Sequence, residues 1–252
     1  MNFSRDIVRE SLNRAGLALA KLYPMGISLL WKAPLVLALV VVPEFIQHVA
    51  EIQLGMFDGG AATRAAADHP IRWLFGYIKV AGVLLVFLAA ARFWWTRRSG
   101  GAWYDLRTVA WKRFGLGFVT FMGIPLLPLF ATGQLSETAI QAAGLALTIP
   151  LLPMLFVMIA GLFGDRETPM RDFWQRSWAW IMLTVALLVI GFVPAQWFHG
   201  MNHHWAMGAA LPIVWVLMIF DSIVVGLLSS ITGTALYLGY AAFRDGMNGN
   251  RV

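Results

Sequence analysis

The chain has 252 residues, of which 59% are hydrophobic, 13% are charged and none is cysteine. Soluble domains carry about 25% charged residues, so a soluble helical core is excluded as the frame, and the missing cysteines exclude disulfides, iron–sulfur clusters and thiolate catalysis. The formal charge of +6 would suit nucleic acid, but its distribution along the chain assigns it to a membrane surface.

In chain order, residues 3–22 place Phe3, Ile7, Leu12, Ala15 and Leu19 at helical spacing, with Arg5, Arg9, Arg14 and Lys21 on the opposite face. That is an amphipathic helix for the headgroup layer. The stretch is too polar for a signal peptide, so the N-terminus is expected to be retained. Apolar runs then predict six spans at 24–43, 73–95, 114–131, 144–163, 178–197 and 207–231, the last continuing as helix to 243. Each approaches the roughly 20 residues that cross a bilayer. The loop 44–72 holds the flexible Gly59-Gly60-Ala61-Ala62, and its start, 43–56, reads as a short surface helix. Two shorter basic stretches, 103–113 and 169–176, precede spans three and five. Pro169 suits a first helical turn, with Thr168 as its N-cap. The fold class is therefore an all-α polytopic membrane protein, with six transmembrane helices and three amphipathic interfacial helices in one membrane domain over 1–252.

A degenerate pattern accompanies the basic stretches. Asp6, Asp105 and Asp172 are each followed by a small residue five on, by Leu or Trp six on, and by Leu17, Leu116 or Leu183 eleven on. It suggests three repeat units, 1–98, 99–165 and 166–252, each an interfacial helix plus a hairpin. Orientation follows from Lys and Arg. Arg5, Arg9, Arg14, Lys21, Arg92, Arg97, Arg98, Arg107, Lys112, Arg113, Arg166, Arg171, Arg176, Arg244 and Arg251 fall on one side; the other side's loops hold only Arg64 and Arg72, with Lys79 just inside a span. Both termini are thus expected in the cytoplasm, with the basic face on anionic lipid headgroups. The bilayer, other membrane proteins and no nucleic acid are the expected partners.

Residues 3–22, and above all 165–183 with Arg176-Ser177-Trp178 leading into a span, resemble YciC-like bacterial inner-membrane proteins and the membrane domain of bacterial glycerophosphodiester phosphodiesterases. Where that family often has Pro-Gly in the fourth span, this chain has Pro153-Met154. The resemblance implies a multi-pass protein of the bacterial inner membrane, and it carries over no catalytic residue.

Three sets of residues are candidates for chemistry. Asp221 lies in a long apolar run, and a charge inside a bilayer must face the bundle interior or water. Lys32, counted to a similar depth in span one, is its expected partner, as a bundle lock or on a proton or substrate path. Pro125 and Pro128, then Pro150 and Pro153, occur in two copies of Ile-Pro-Leu-Leu-Pro. Each proline removes a backbone donor, so these segments predict kinks, or freed carbonyls lining a path as in transporters with broken helices. Glu44, His48 and Glu51 share a helix face at i, i+4 and i+7, and His199, His203 and His204 occupy the outer turn between spans five and six. Imidazoles and carboxylates ligate zinc, copper or iron; these two sets converge only if spans one and five are neighbours. The alternative is a loop whose histidines sit among headgroups. Lys79 and Glu44 are expected to pair across the first hairpin. Small residues from Gly226 to Gly233 suit close helix packing. Hydrolase and nucleotide-binding motifs are absent from the sequence.

Three functions follow from these sets. The first is a non-enzymatic scaffold, assembly factor or accessory subunit of a membrane complex, with no cofactor. The second is a small-molecule or lipid transporter with a path near Lys32, Asp221 and the proline breaks. The third is a metal-dependent enzyme on the outer, periplasmic side, holding a divalent ion at Glu44, His48, Glu51 and the 199–204 turn.

Overall fold

The computed structural model describes residues 3–134 and 136–249; the side chains of 3–11, 131, 248 and 249 lie outside the description. Of the amphipathic reading of the first stretch, Phe3, Arg5, Ile7 and Arg9 lie outside the described side chains, as do Arg251 and both chain ends; of the rest, Leu12, Leu19 and Lys21 are exposed and Ala15 and Arg14 half-buried. Among the described residues all regular structure is helical: α1 Phe3–Lys32, α2 Pro34–Gln53, α3 Gly60–Ala67, α4 Pro70–Ser99, α5 Trp111–Phe118, α6 Glu137–Leu162, α7 Met170–Arg176, α8 Trp178–Ala206 and α9 Leu211–Gly249. Six stretches, 34–53, 70–99, 111–130, 137–162, 178–206 and 211–247, are long and apolar enough to cross a membrane. Exposed apolar side chains along them, such as Leu35, Val80, Leu145, Val189 and Val216, suit contact with hydrocarbon.

The first span is shifted from its expected place. The 24–43 reading joined two helices that Ala33 separates, with φ −148° and ψ 60°. Pro34 lacks the N–H that a continuing helix needs, so it opens α2 at the first helical position. The interfacial stretch and the first half of the expected span form one 30-residue helix, α1. The expected surface helix at 43–56 is instead the second half of α2. The stretch 103–113 makes only a 3₁₀ turn, Leu106–Thr108, before α5. α7 does form, but Met170 begins it and Pro169 takes the cap position; Thr168 Oγ1 is occupied by donating to Asp165 Oδ2 at 2.7 Å.

The two proline motifs behave differently. After α5, the chain of span three widens to a π-helix over Val119–Gly123 and tightens to a 3₁₀-helix over Ile124–Ala131, which holds Pro125 and Pro128. Pro150 and Pro153 lie inside α6, which continues through both.

The chain gathers into two compact units, one of residues up to Ala15, Trp94–Val185 and Tyr237 onward, the other of Gly16–Phe93 and Ala186–Leu236. The first draws on all three suggested repeat units and the second on 1–98 and 166–252 alone, so the compact units do not follow the suggested repeat.

In the first unit, α5 and α6 cross closely: a Cβ on Gly117 would strike the Met158 backbone, and one on Gly161 the Phe114 backbone. α6 ends on Gly164 at φ +78°, with the Asp165 N–H donating to the Ala160 carbonyl at 2.8 Å and the Gly164 N–H to that of Gly161 at 3.1 Å. That double bond satisfies the last carbonyls of the helix, and its left-handed residue favours glycine.

In the second unit, α1 buries Ala18, Leu22, Gly26 and Leu29 along one stripe. α2 buries Ala33, Val36, Leu37 and Val40, and the same stripe continues through Glu44, Gln47, His48 and Glu51. A single helix face thus changes from apolar to polar at Glu44. Pro194 cannot donate to the Ile190 carbonyl; the Tyr23 hydroxyl donates to it instead, at 2.6 Å.

Candidate metal centre

The polar half of the α2 stripe needs partners, because a buried carboxylate without compensation costs several kcal/mol. The second unit brings them from three helices. On α4, Arg72 Nε donates to Glu51 Oε1 at 3.0 Å, and Lys79 Nζ lies 3.3 Å from Glu44 Oε1; the Glu44–Lys79 pair is the one expected from sequence. Gln47 Nε2 also donates to Glu51 Oε1, at 2.9 Å. On α9, the Asp221 carboxylate reaches His48 Nε2 at 3.1 Å. From α8, His199 Nδ1 meets Asp221 Oδ2 at 2.6 Å, Asn202 Nδ2 donates to Oδ1 at 2.8 Å, and His203 Nε2 lies 3.5 Å away. His48 further contacts Glu44 Oε1 at 3.3 Å and Glu51 Oε2 at 3.1 Å.

Small residues and a proline set this geometry. A Cβ on Gly226 would fall 2.6 Å from Val41 Cγ2, so its absence lets α9 close on α2. Pro43 leaves the Leu39 carbonyl without its helical donor; that carbonyl faces Gly82, where a Cβ would overlap it. This approach sets α4 one turn from where Lys79 meets Glu44.

Lys32 is not among the groups on Asp221. It ends α1, and α2 rises about 21 Å between Pro34 and His48 at 1.5 Å per residue, so Lys32 lies toward the other end of that span. The depth count failed because it used 24–43 as the span. His204 is exposed and stays outside the cluster that holds His199 and His203. The four prolines, Pro125, Pro128, Pro150 and Pro153, belong to the first unit and contribute nothing to this cluster. Sequence reading missed Gln47, Asn202 and the Arg72 contact. Gln47 shares the Glu44–Glu51 face, Asn202 sits at i+3 from His199, and Arg72 is one of two basic residues in the expected outer loops; each was visible.

Two donor sets result. Glu44, His199, His203 and Asp221 place one ligand atom each within 4.8 Å of all the others, and so do His48, Glu51 and His203. Metal bonds of about 2.0–2.2 Å put tetrahedral ligands about 3.3 Å apart, so the first set closes on an ion with small shifts. The polar accounting leaves a gap of the right kind. Glu44 Oε2, Gln47 Oε1, Asn202 Oδ1 and His203 Nε2 are buried with no hydrogen-bond partner. Three are acceptors, and the fourth is an imidazole nitrogen able to accept. Three buried carboxylates face two fixed cations, Arg72 and Lys79, and the His48 ring, both of whose nitrogens lie against carboxylate oxygens and so carry protons. Among the described residues Asp221 has imidazoles and an amide against it, but no Lys or Arg. The cluster is rich in lone pairs that no donor meets.

The first unit holds a contrasting polar cluster. Asp165 Oδ2 accepts from Tyr240 at 2.6 Å and from Arg244; Oδ1 accepts from the Glu167 and Thr168 N–H groups at 3.0 and 3.1 Å. Arg113 ties the Asp165 and Thr168 carbonyls at 2.8 and 3.0 Å. Burial pushes the Asp165 pKa up, but the Tyr240 and Thr168 hydrogen bonds and the Arg244 charge outweigh it, and the carboxyl titrates below the ordinary aspartate range. Both carboxylate oxygens are satisfied, so this is a structural pin on the loop after α6.

Helix length and apolar composition make the chain a multi-pass membrane protein, all-α across its described residues, with a buried His–carboxylate cluster in one of its two units. No family model, curated protein or solved structure matches it.

Proposed function

We propose that this membrane protein is a metalloprotein, with a divalent transition-metal ion held by Glu44, His199, His203 and Asp221 and used as a Lewis acid on the side that the charge bias assigns to the outside. The observation that carries it is the buried surplus of acceptors: Glu44 Oε2, Gln47 Oε1 and Asn202 Oδ1 have no donor, beside the converging ligand atoms of Glu44, His199, His203 and Asp221. A scaffold needs no such surplus; a bundle is locked by one satisfied pair, as Asp165 and Arg244 illustrate. The transporter reading loses support with the Lys32–Asp221 pair, since Lys32 lies toward the other end of its span and the proline breaks supply no group to the cluster. Two imidazoles with carboxylates, and no thiolate, suit zinc, iron or manganese. The resemblance to YciC-like proteins remains a proposal about kinship and supplies no residue to this centre.

Metal analysis of protein purified in mild detergent tests this. The expected result is about one transition-metal ion per chain, with loss of it in His199→Ala. Protein that binds none after incubation with Zn²⁺, Mn²⁺ and Fe²⁺ at neutral pH overturns it. A stoichiometric protein partner in that preparation would favour the scaffold.

A further inference from the structure

We infer that the molecule on which the centre acts is an amphiphile with an anionic headgroup, reaching it sideways from the bilayer rather than from the water above; this rests on the metal reading. The water-facing end is closed. The Gly208 N–H donates to the Phe57 carbonyl at 2.8 Å, joining the turn after α2 to the turn between α8 and α9. Phe57, Ala206, Val214 and Met218 form a buried apolar cluster there, with Ile52, Met56, Ala209 and Leu217 packed on it. The Phe57 ring lies 5.8 Å from the His203 ring. This is an apolar cap directly over a ligand.

Within the cluster, exposure is limited to the residues that α4 and α8 supply. Glu44, His48, Glu51 and Asp221 side chains are 0% exposed, whereas His199 is 16%, His203 25%, Arg72 25% and Lys79 20% exposed. The four accessible groups come from α4 and α8, both membrane-crossing helices. Their neighbours on those helices, Trp73, Tyr77 and Ile78 on α4 and Trp197 and Phe198 on α8, are exposed and mostly apolar. Water-soluble substrates do not approach along such a surface; lipid-like ones do. Arg72 and Lys79 are among these groups, and a bound divalent ion adds two positive charges to carboxylates that Arg72, Lys79 and His48 already balance. A phosphate- or carboxylate-bearing headgroup is the complement.

Cobalt-loaded protein in dodecyl maltoside provides the readout, through the visible bands of the bound ion. Three probes are titrated: dihexanoyl-phosphatidylglycerol, dihexanoyl-phosphatidylcholine and inorganic phosphate. The anionic lipid is expected to perturb the bands at about tenfold lower concentration than either of the others. Phe57→Ala, which opens the cap, is expected to improve the response to phosphate while leaving that to the lipid unchanged. Phosphate equal to the lipid in the wild type, or bands unmoved by any probe, overturns the inference while the metal reading stands. Equal response to the two lipids overturns the anionic headgroup. Failure to bind cobalt at all overturns both readings, and is seen before any probe is added.

Discussion

His48 Nε2 lies 3.1 Å from Asp221 Oδ2 across 173 residues of chain, and this contact joins the polar face of α2 to α9. Around it the ligand atoms of Glu44, His199, His203 and Asp221 converge. Substitutions in that set are expected to act on metal binding before they act on the fold. His199→Ala and His203→Ala should each weaken binding by about 100-fold or more, since even outer-shell changes cost 10–100-fold. His204→Ala, at an exposed position on the same helix turn, should bind as the wild type does. Metal-to-protein ratios after dialysis against a graded chelator measure this. Equal losses in all three would show that the turn is merely disrupted.

Much of this cluster was legible in the sequence. Glu44, His48 and Glu51 stand at i, i+4 and i+7, and His199 and His203 at i and i+4, so each half-site follows from helical spacing alone. Asp221 stood out because no other charge lies near it in its run. Convergence was not legible, because it depends on which spans are neighbours, and hydrophobic periodicity does not report that. The wrong partner for Asp221 traces to one residue: Pro34 moves the start of the span ten positions, and every depth counted from 24 moved with it. The interfacial turn at 103–113 was misread because Asp105 accepts from the Arg107 N–H at 3.2 Å, a local bond that favours a turn over an α-helix.

The Arg72–Glu51 pair offers a test of charge compensation. The Glu51 side chain is fully buried and Arg72 is partly exposed. Arg72→Gln leaves a buried carboxylate with less compensation and should destabilise metal-free protein by about 3 kcal/mol. Glu51→Gln removes the charge itself and should cost less, with the double variant closer to Glu51→Gln than to Arg72→Gln. Detergent-unfolding midpoints of the three variants form the cycle. Arg72→Gln milder than Glu51→Gln would mean that solvent or another group already compensates Glu51.

Asp165 predicts a pH dependence outside the spans. Its pKa is lowered in the folded protein, so folding disfavours its protonation. The stabilisation is therefore fully present above the unfolded value of about 3.9 and is lost as pH falls through the lower folded value. The wild type should exceed Asp165→Asn by about 3 kcal/mol at neutral pH, and the gap should close below pH about 4. Thermal midpoints of both proteins across that range isolate this one group, because every other carboxyl titrates in both. A gap unchanged to the acid limit would mean that Asp165 contributes through packing and not through charge.

The two glycines that seat the α2 partners should respond differently to alanine, because the obstacle differs. At Gly226 the new Cβ meets Val41 Cγ2, the tip of a side chain that can turn away. At Gly82 it meets the Leu39 carbonyl, which belongs to the backbone, and which Pro43 has already deprived of its helical donor. Backbone cannot rotate aside, so α4 must withdraw from α2, and overpacking of this kind costs about 1–3 kcal/mol. Gly82→Ala should therefore destabilise by an amount in that range and Gly226→Ala by less. The withdrawal also has a chemical consequence, since Lys79 lies one turn from Gly82 on α4 and holds Glu44 at 3.3 Å. With α4 displaced, Glu44 loses its fixed cation and the cluster gains negative charge, so Gly82→Ala should bind a divalent ion more tightly than the wild type even as the metal-free fold weakens. Unfolding midpoints with and without Zn²⁺ measure both effects. A variant weakened equally in both conditions would show that Lys79 does not compete with the ion for Glu44.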